Sequence, residues 1–308
     1  MDKPFKSIDE QIAILDSRGV ETDSDTATAL MREGYYSIVN GYKDPFIDRD
    51  ASAIAGEDTY KAGTSFNEIK RLFDFDRDLR HTMFKYFSIA EATLKTACAY
   101  NFSKRHSSEH EPYLKKENYR SERKYSDWID MLIGDFEVAL GRNPKKKPKK
   151  KDYLVHYRLN HDEVPMWVLI RYLTLGQTFK FFDFQDEPMR NAIARSFSDL
   201  YSETHEREIK IHDRDLRLAY DHIKDFRNIC AHDERLYCAR VSPSKDVSIS
   251  RVIADLEMVL PKEDHSDMIG EVLGLLVGMT NDVSTASPRK ILELMGIASI
   301  ENTFMLND

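Results

Sequence analysis

SFNEIKRLFDFDRDLRHTMFKYFSIAEATLKTACAYNFS, residues 65–103, decides the fold class. Ser65 followed by Glu68 has the spacing of a capping box, in which the hydroxyl accepts the amide three residues on and the carboxylate reaches back. Ile69, Leu72, Phe73, Leu79, Met83, Tyr86, Phe87, Ala90, Leu94 and Ala97 then make one apolar stripe at helical spacing. A long helix from Ser65 to about Ser103 follows.

Outward from it, the chain reads as further helices. Ser7 and Glu10 repeat the capping spacing ahead of Ile8, Ile12 and Leu15, with Gly19 as the stop. A second helix runs from about Asp25 to Arg32, and Gly34 hands over to an aromatic stretch that ends before Pro45. Its tyrosines suit packing or RNA stacking. Residues 47–63 read as an irregular loop. A helix at Ser126 to Leu140 carries Trp128, Met131, Leu132 and Phe136. Pro165 opens Met166 to Leu173, Gly176 reads as a break before Phe179 to Phe184, and these apolar pieces are expected in the core. Pro188 opens a helix to Tyr201, and Glu206 to His232 reads as the second long helix. Beyond Ser242-Pro243-Ser244, apolar stretches at 251–260, 268–283 and 289–296 suggest a smaller helical extension. The expected organisation is an N-terminal helical lead at 1–62, a helical core at 63–240 and a C-terminal extension at 241–308.

Composition agrees with an all-α protein: 12 glycines and 10 prolines in 308 residues leave few turns for a many-stranded fold. Cys98, Cys230 and Cys238 are odd in number and lack paired spacing, so neither a disulfide framework nor a zinc site is expected. The N-terminus has no apolar run after its charges, and no stretch reaches 18 apolar residues, so secretion and membrane spanning are not expected and a cytoplasmic location is. A net charge of −8 argues against a uniform nucleic-acid coat, but residues 142–161 hold two Arg and six Lys against Asp152. The positive field is a patch.

Four Arg-x-x-x-x-His pairs occur: Arg105/His110, Arg207/His212, Arg217/His222 and Arg227/His232. Spacing alone selects none. On the last long helix, Ile209, His212, Leu216, Ala219, Ile223, Phe226 and Cys230 define the buried stripe, which puts His212 on the core face. Asn228 and His232 lie one turn apart opposite that stripe, so Asn228 can support His232. Arg217 and His222 stand about 140° apart, and so do Arg227 and His232. Geometry leaves both pairs open.

An ordered series of landmarks narrows the choice. Lys3-Pro4-Phe5 and Gln11 come first, followed by Gly34-Tyr35-Tyr36, Gly41-Tyr42 and Pro45-Phe46. Phe75-Asp76-Arg77-Asp78-Leu79-Arg80, Glu91, Pro165-Met166-Trp167-Val168 and Leu175-Gly176 continue it. Arg227-Asn228-Ile229-Cys230-Ala231-His232-Asp233-Glu234-Arg235-Leu236 closes it. Over about residues 3 to 240 the chain resembles the Abi-like family of bacterial abortive-infection proteins, the AbiD/AbiF type within the HEPN superfamily. The lysine-rich loop at 145–151 and the chain beyond 242 stand outside the shared pattern.

The resemblance implies a HEPN-like helical bundle acting as a homodimer. It implies Arg227 and His232 as a metal-independent catalytic pair for RNA cleavage, Asn228 as the polar residue after the Arg, and no cofactor. It also implies a toxic role in antiphage defence or a toxin–antitoxin system, with a companion structured noncoding RNA as partner. The chemistry suits these residue types. Attack by a ribose 2′-hydroxyl needs a proton acceptor, a donor for the departing 5′ oxygen, and positive charge beside the phosphate. Histidine titrates near neutrality and arginine supplies a fixed fork of donors. One chain offers one suitable His for two proton transfers, which two facing motifs would supply.

The rival reading of the motif is an ordinary helix end, with Arg227 paired to a carboxylate and His232 favoured by the helix dipole. Lys145, Lys146, Lys147, Lys149, Lys150 and Lys151 form a solvated loop suited to RNA phosphates, or only to solubility, and Arg235 is a further RNA-binding candidate. Glu91 is either an orienting partner for the catalytic Arg or His, or an ion-paired surface group. His156 and His161 read as structural. At the level of the whole protein, the alternatives to a nuclease are a small-RNA-binding protein that does not cut and a helical protein-interaction scaffold.

Overall fold

The computed structural model describes residues 4–147, 150–241 and 246–297. The fold is all-α. Among the described residues the β pairing is confined to the isolated bridges Glu21–Ser65, Ile47–Tyr60 and Val241–Val247. The helices are α1 (Ile8–Ser17), α2 (Thr26–Glu33), α3 (Arg49–Ala55), α4 (Phe66–Arg105), α5 (Ser126–Ala139), α6 (Asp152–Asn160) and α7 (Met166–Leu169). They continue with α8 (Leu175–Asp183), α9 (Glu187–His205), α10 (Asp213–Ala231), α11 (Ile249–Glu257), α12 (Lys262–Asp282) and α13 (Pro288–Met295).

The capping boxes form as the spacing predicts. Glu10 donates its amide to Ser7 Oγ at 3.3 Å and its carboxylate accepts the Ser7 amide at 2.7 Å. The pair Ser65 and Glu68 does the same at 3.2 and 3.3 Å. All ten stripe residues of α4 are buried. Burying such a row of large apolar side chains contributes roughly 1.5–3 kcal/mol each, far more than helix propensity.

The chain clusters into two compact units, one of residues 1–84, 228–251 and 267–308, the other of residues 85–227 and 252–266. In the first unit, Tyr42 stacks on Tyr237 with ring centroids 5.8 Å apart and meets Phe73 edge-on at 5.4 Å. Glu68 does double duty there: besides capping α4, its Oε1 accepts the amides of Ser284 and Thr285 at 2.7 and 2.8 Å, tying the α12–α13 connection to the start of α4. In the second unit, Phe102, Tyr119 and Phe136 pack around Phe181, with centroids 5.1, 6.1 and 6.1 Å from it. The Tyr220 hydroxyl donates to the Ala90 carbonyl at 2.7 Å and pins α10 to α4.

Several expectations are corrected. Residues 47–63 contain α3, whose N-cap Asp48 accepts the Asp50 and Ala51 amides and whose end is turned by Gly56 at φ 72°. No residue of α3 is buried, so it leaves no apolar periodicity to read. Glu206 to His232 is not one helix: Glu206 takes the left-handed conformation at φ 54°, and α10 begins at Asp213. His212 is exposed rather than core-facing because it precedes that helix, its carbonyl accepting the Asp215 and Leu216 amides. Gly176 is not a break either. Thr174 caps α8, with the Gln177 amide donating to its hydroxyl at 3.3 Å, so Gly176 lies in the first turn. Trp167 is 57% exposed, outside the core expected for it, and on α5 Trp128 and Met131 are 49% and 60% exposed.

Candidate functional site

The border between the two units passes between Arg227 and Asn228. Each part of the motif is therefore placed within its own unit.

In the second unit, α10 turns Leu216, Ala219, Tyr220, Ile223 and Phe226 inward, and Arg227 follows on the flank, half-buried. Its Nη2 lies 3.5 Å from Glu91 Oε2, while Glu91 Oε1 accepts from Lys95 Nζ at 2.7 Å. Two helices thus place a guanidinium, a carboxylate and an ammonium in sequence. The 3.5 Å separation is an ion pair with little directional hydrogen bonding.

Two of the other Arg-x-x-x-x-His pairs are committed to structure. His222 is buried with its Nδ1 2.6 Å from Asp255 Oδ2, and Arg217 Nε donates to Asp183 at 2.5 Å. Arg105 makes a bidentate pair with Asp186, at 2.6 Å for each bond. Arg207 and His212 are exposed in the segment ahead of α10.

In the first unit, Asn228 and His232 are exposed at the end of α10. The His232 amide donates to the Asn228 carbonyl at 3.0 Å, and the Glu234 amide reaches back to the Ile229 carbonyl at 3.1 Å. Asp233 between them has φ 56°, the left-handed conformation that closes a helix, here adopted by Asp instead of Gly. His232 therefore stands at the C-terminal cap of the helix.

A buried polar cluster holds the turn that follows. Asp76 is 0% exposed and accepts the Tyr42 hydroxyl at 2.6 Å, Arg80 Nη1 at 2.7 Å and the Tyr237 and Leu236 amides at 2.7 and 3.1 Å. Arg80, 3% exposed, also donates through Nη2 to Asp233 Oδ1 at 2.6 Å. Burial pushes the Asp76 carboxyl up, while the Tyr42 hydroxyl, Arg80 and the two amides pull it back. The same arrangement raises the Arg80 guanidinium despite its burial, mainly through Asp76. Cys230 is not a nucleophile at neutral pH, because burial pushes its thiol up to about 12.

Asp76 and Arg80 were legible as landmarks in the sequence but not as positioning residues. The available signal was two ionisable residues four apart, set among Leu72, Leu79 and Met83 on the apolar stripe.

Arg235 is exposed, and its Nη1 donates to the Gly41 carbonyl at 2.7 Å. In the second unit, Lys145, Lys146, Lys147, Lys150 and Lys151 are exposed, and Lys149 lies outside the described residues. The amides of Lys145 and Lys146 donate to Asn143 Oδ1 at 2.9 and 3.0 Å, which shapes the start of the loop. Arg142 is bound bidentately by Glu111 at 2.6 and 2.7 Å, so the positive field of this stretch comes chiefly from the lysines. Among the described residues no helix is long and apolar enough to cross a membrane, and no three His, Cys, Asp or Glu side chains are grouped to hold a metal ion.

The profile of the Abi-like proteins matches residues 28–238, more than half of the 308-residue chain. The chain belongs to the Abi-like protein family. No curated protein and no solved structure matches it. The Abi-like region takes in the Asp76–Arg80 cluster, Glu91, the lysine loop and the whole Arg227–His232 segment, and leaves out α11 to α13. Family membership points to abortive infection, the phage-defence response after which the Abi-like proteins are named.

Proposed function

We propose that this Abi-like protein is a HEPN-type, RNA-binding endoribonuclease of an antiphage system, acting as a homodimer without a metal ion. The observation that carries the reading is the placement of His232. Its side chain is exposed at a helix cap, and the next residue, Asp233, is clamped by the buried Arg80. An accessible imidazole on a fixed backbone is what general acid–base chemistry requires. An ordinary surface histidine at a helix end needs no buried ion pair behind it.

In the proposed reaction, His232 of one copy takes the proton of the ribose 2′-hydroxyl as that oxygen attacks the adjacent phosphorus. His232 of the second copy gives a proton to the departing 5′ oxygen. The bond from phosphorus to the 5′ oxygen breaks, leaving a 2′,3′-cyclic phosphate and a 5′-hydroxyl. Arg227, held by Glu91, neutralises charge growing on the phosphate oxygens. Asn228 supports His232 from one helical turn away. Each proton transfer is expected to contribute about 10²–10⁴-fold, and the cationic contact about 10²–10³-fold.

RNA affinity is assigned to the exposed lysines at 145–151 and to Arg235, and a companion structured noncoding RNA is the proposed partner that assembles or restrains the toxin. The same lysines favour a second reading, a protein that sequesters a small RNA without cutting it. Wild type, Arg227→Ala and His232→Ala compared for RNA cleavage in chelator-containing buffer and for toxicity in cells test the proposal. Loss of both activities in both variants supports it. RNA binding with no cleavage by any form supports the second reading.

A further inference from the structure

We infer that a groove along α4 in the second unit seats single-stranded RNA, with bases stacking on Tyr100 and Trp167 and phosphates held by Lys104 and Arg171. This rests on the RNA-cleaving reading above and specifies its substrate as unpaired strand.

The groove has a volume of about 970 Å³, at the upper end of what small-molecule sites occupy, and so exceeds the needs of a single nucleotide. Its floor is the α4 face bearing Ala92, Thr96 and Ala99, whose small side chains let a ligand approach the helix closely. Two large aromatic rings stand open in the same hollow, Tyr100 at 63% and Trp167 at 57% exposure. Trp167 is directed outward by its neighbours: Met166, Val168 and Leu169 are buried, and on so short a helix that leaves position 167 facing solvent. Neither ring contributes to the core, so their placement asks for another cause. Large aromatics open in one hollow are costly on a surface without a ligand and are the usual platform for unpaired bases.

Charge identifies the occupant. The hollow presents Lys95, Lys104 and Arg171 against one acid, Glu91, whose two oxygens already face Lys95 and Arg227. Lys104 Nζ lies 5.9 Å from the Tyr100 ring centroid, so a phosphate and a base could be held side by side. A second copy of this chain fits poorly. A twofold contact through this face would bring together two surfaces that each carry Lys95, Lys104 and Arg171 against the single acid Glu91, and a net like charge costs association energy. A duplex fits poorly as well, since its base faces are already stacked. Glu91 lines the groove and also pairs with Arg227, so within this unit a strand lying there runs toward the proposed catalytic arginine.

The test uses Trp128→Phe, which leaves Trp167 as the one tryptophan, in the full chain. A short 2′-O-methyl oligouridylate is the probe; it lacks the attacking hydroxyl, so binding is read apart from cleavage. Expected are saturable quenching of Trp167 fluorescence and about tenfold weaker binding after Tyr100→Ala. Lys104→Ala and Arg171→Ala should each flatten the dependence of log affinity on log salt by about 0.7. The proposal fails if the oligonucleotide binds by anisotropy without quenching Trp167, or if Tyr100→Ala and Trp167→Ala bind it like wild type. It also fails if those substitutions alter the oligomeric mass and leave affinity unchanged, which would give the face to a second copy. RNA cleavage without quenching sinks the groove and spares the nuclease; quenching with no cleavage of ordinary RNA does the reverse.

Discussion

Replacing Asp76 by Asn should cost the first unit several kcal/mol although the change removes no atoms' worth of volume. The carboxylate accepts four donors, from Tyr42, Arg80, Leu236 and Tyr237, in a place closed to water. An amide keeps one acceptor oxygen and turns an NH₂ toward groups that are themselves donors, so at least one of the four loses its partner and Arg80 loses its counter-charge. Hydrogen bonds to a charged group are worth about 1.5–3 kcal/mol each, and breaking a buried ion pair costs about 3–5 kcal/mol. These are two descriptions of one loss, and the expected destabilisation is about 3–5 kcal/mol. Urea unfolding followed by circular dichroism measures it as a lower midpoint at unchanged slope. Asp78→Asn, an exposed neighbour on the same helix, is the control and should shift stability by less than about 0.5 kcal/mol. A loss below about 1 kcal/mol for Asp76→Asn would refute the claim that this cluster holds the turn after His232.

Other expectations concern activity, affinity and acid stability. His232→Ala should retain its melting temperature while losing at least about 100-fold in RNA cleavage, read in parallel by differential scanning calorimetry and product analysis. Glu91→Gln should lower kcat with little change in KM if the carboxylate acts by placing Arg227, whereas equal activity would make the pair merely structural. Neutralising the lysines at 145, 146, 147, 149, 150 and 151 should weaken RNA binding and flatten its salt dependence; unchanged affinity and slope would remove the loop from the RNA-binding surface. Burial raises the Glu68 carboxyl, but bonds from Thr285 and Ser284 outweigh this and leave it below its ordinary 4.5. Its contribution to stability is therefore complete above that ordinary value and is lost as pH falls through the lower folded value. Glu68→Gln should flatten the acid limb of a stability-versus-pH curve, and an unaltered limb would contradict the assignment.

What the sequence disclosed follows from how each element is stabilised. Helices α4 and α10 bury long apolar rows, so periodicity and capping residues were enough to place α4 to within two residues of its C-terminus. Helix α3 buries nothing, so it left no pattern. The start of α10 was missed because Glu206, a good helix former, is turned into a left-handed conformation by tertiary context, with the Ile211 amide bound to Ser198 Oγ at 3.0 Å. Hydrophobicity alone misassigned Trp167: a ring counts as core material until its neighbours claim the inward positions. For the site, the residue types and spacing of Arg227, Asn228 and His232 were readable, and the rival Arg217/His222 pair was not excluded. Only the partners Asp183 and Asp255, far off in sequence, give that pair a structural role. The Asp76–Arg80 cluster needed the fold as well, since its acceptors and donors come from three separate segments.

The most direct test is the chemical nature of the RNA ends made by the purified protein in the presence of excess chelator. Wild type should leave 2′,3′-cyclic phosphate and 5′-hydroxyl termini, and mixing wild type with excess His232→Ala should lower activity more than dilution does, as expected when each copy supplies one of the two proton transfers. Cleavage that survives His232→Ala, or that proceeds only when a divalent ion is restored and leaves 5′-phosphates, would contradict the account.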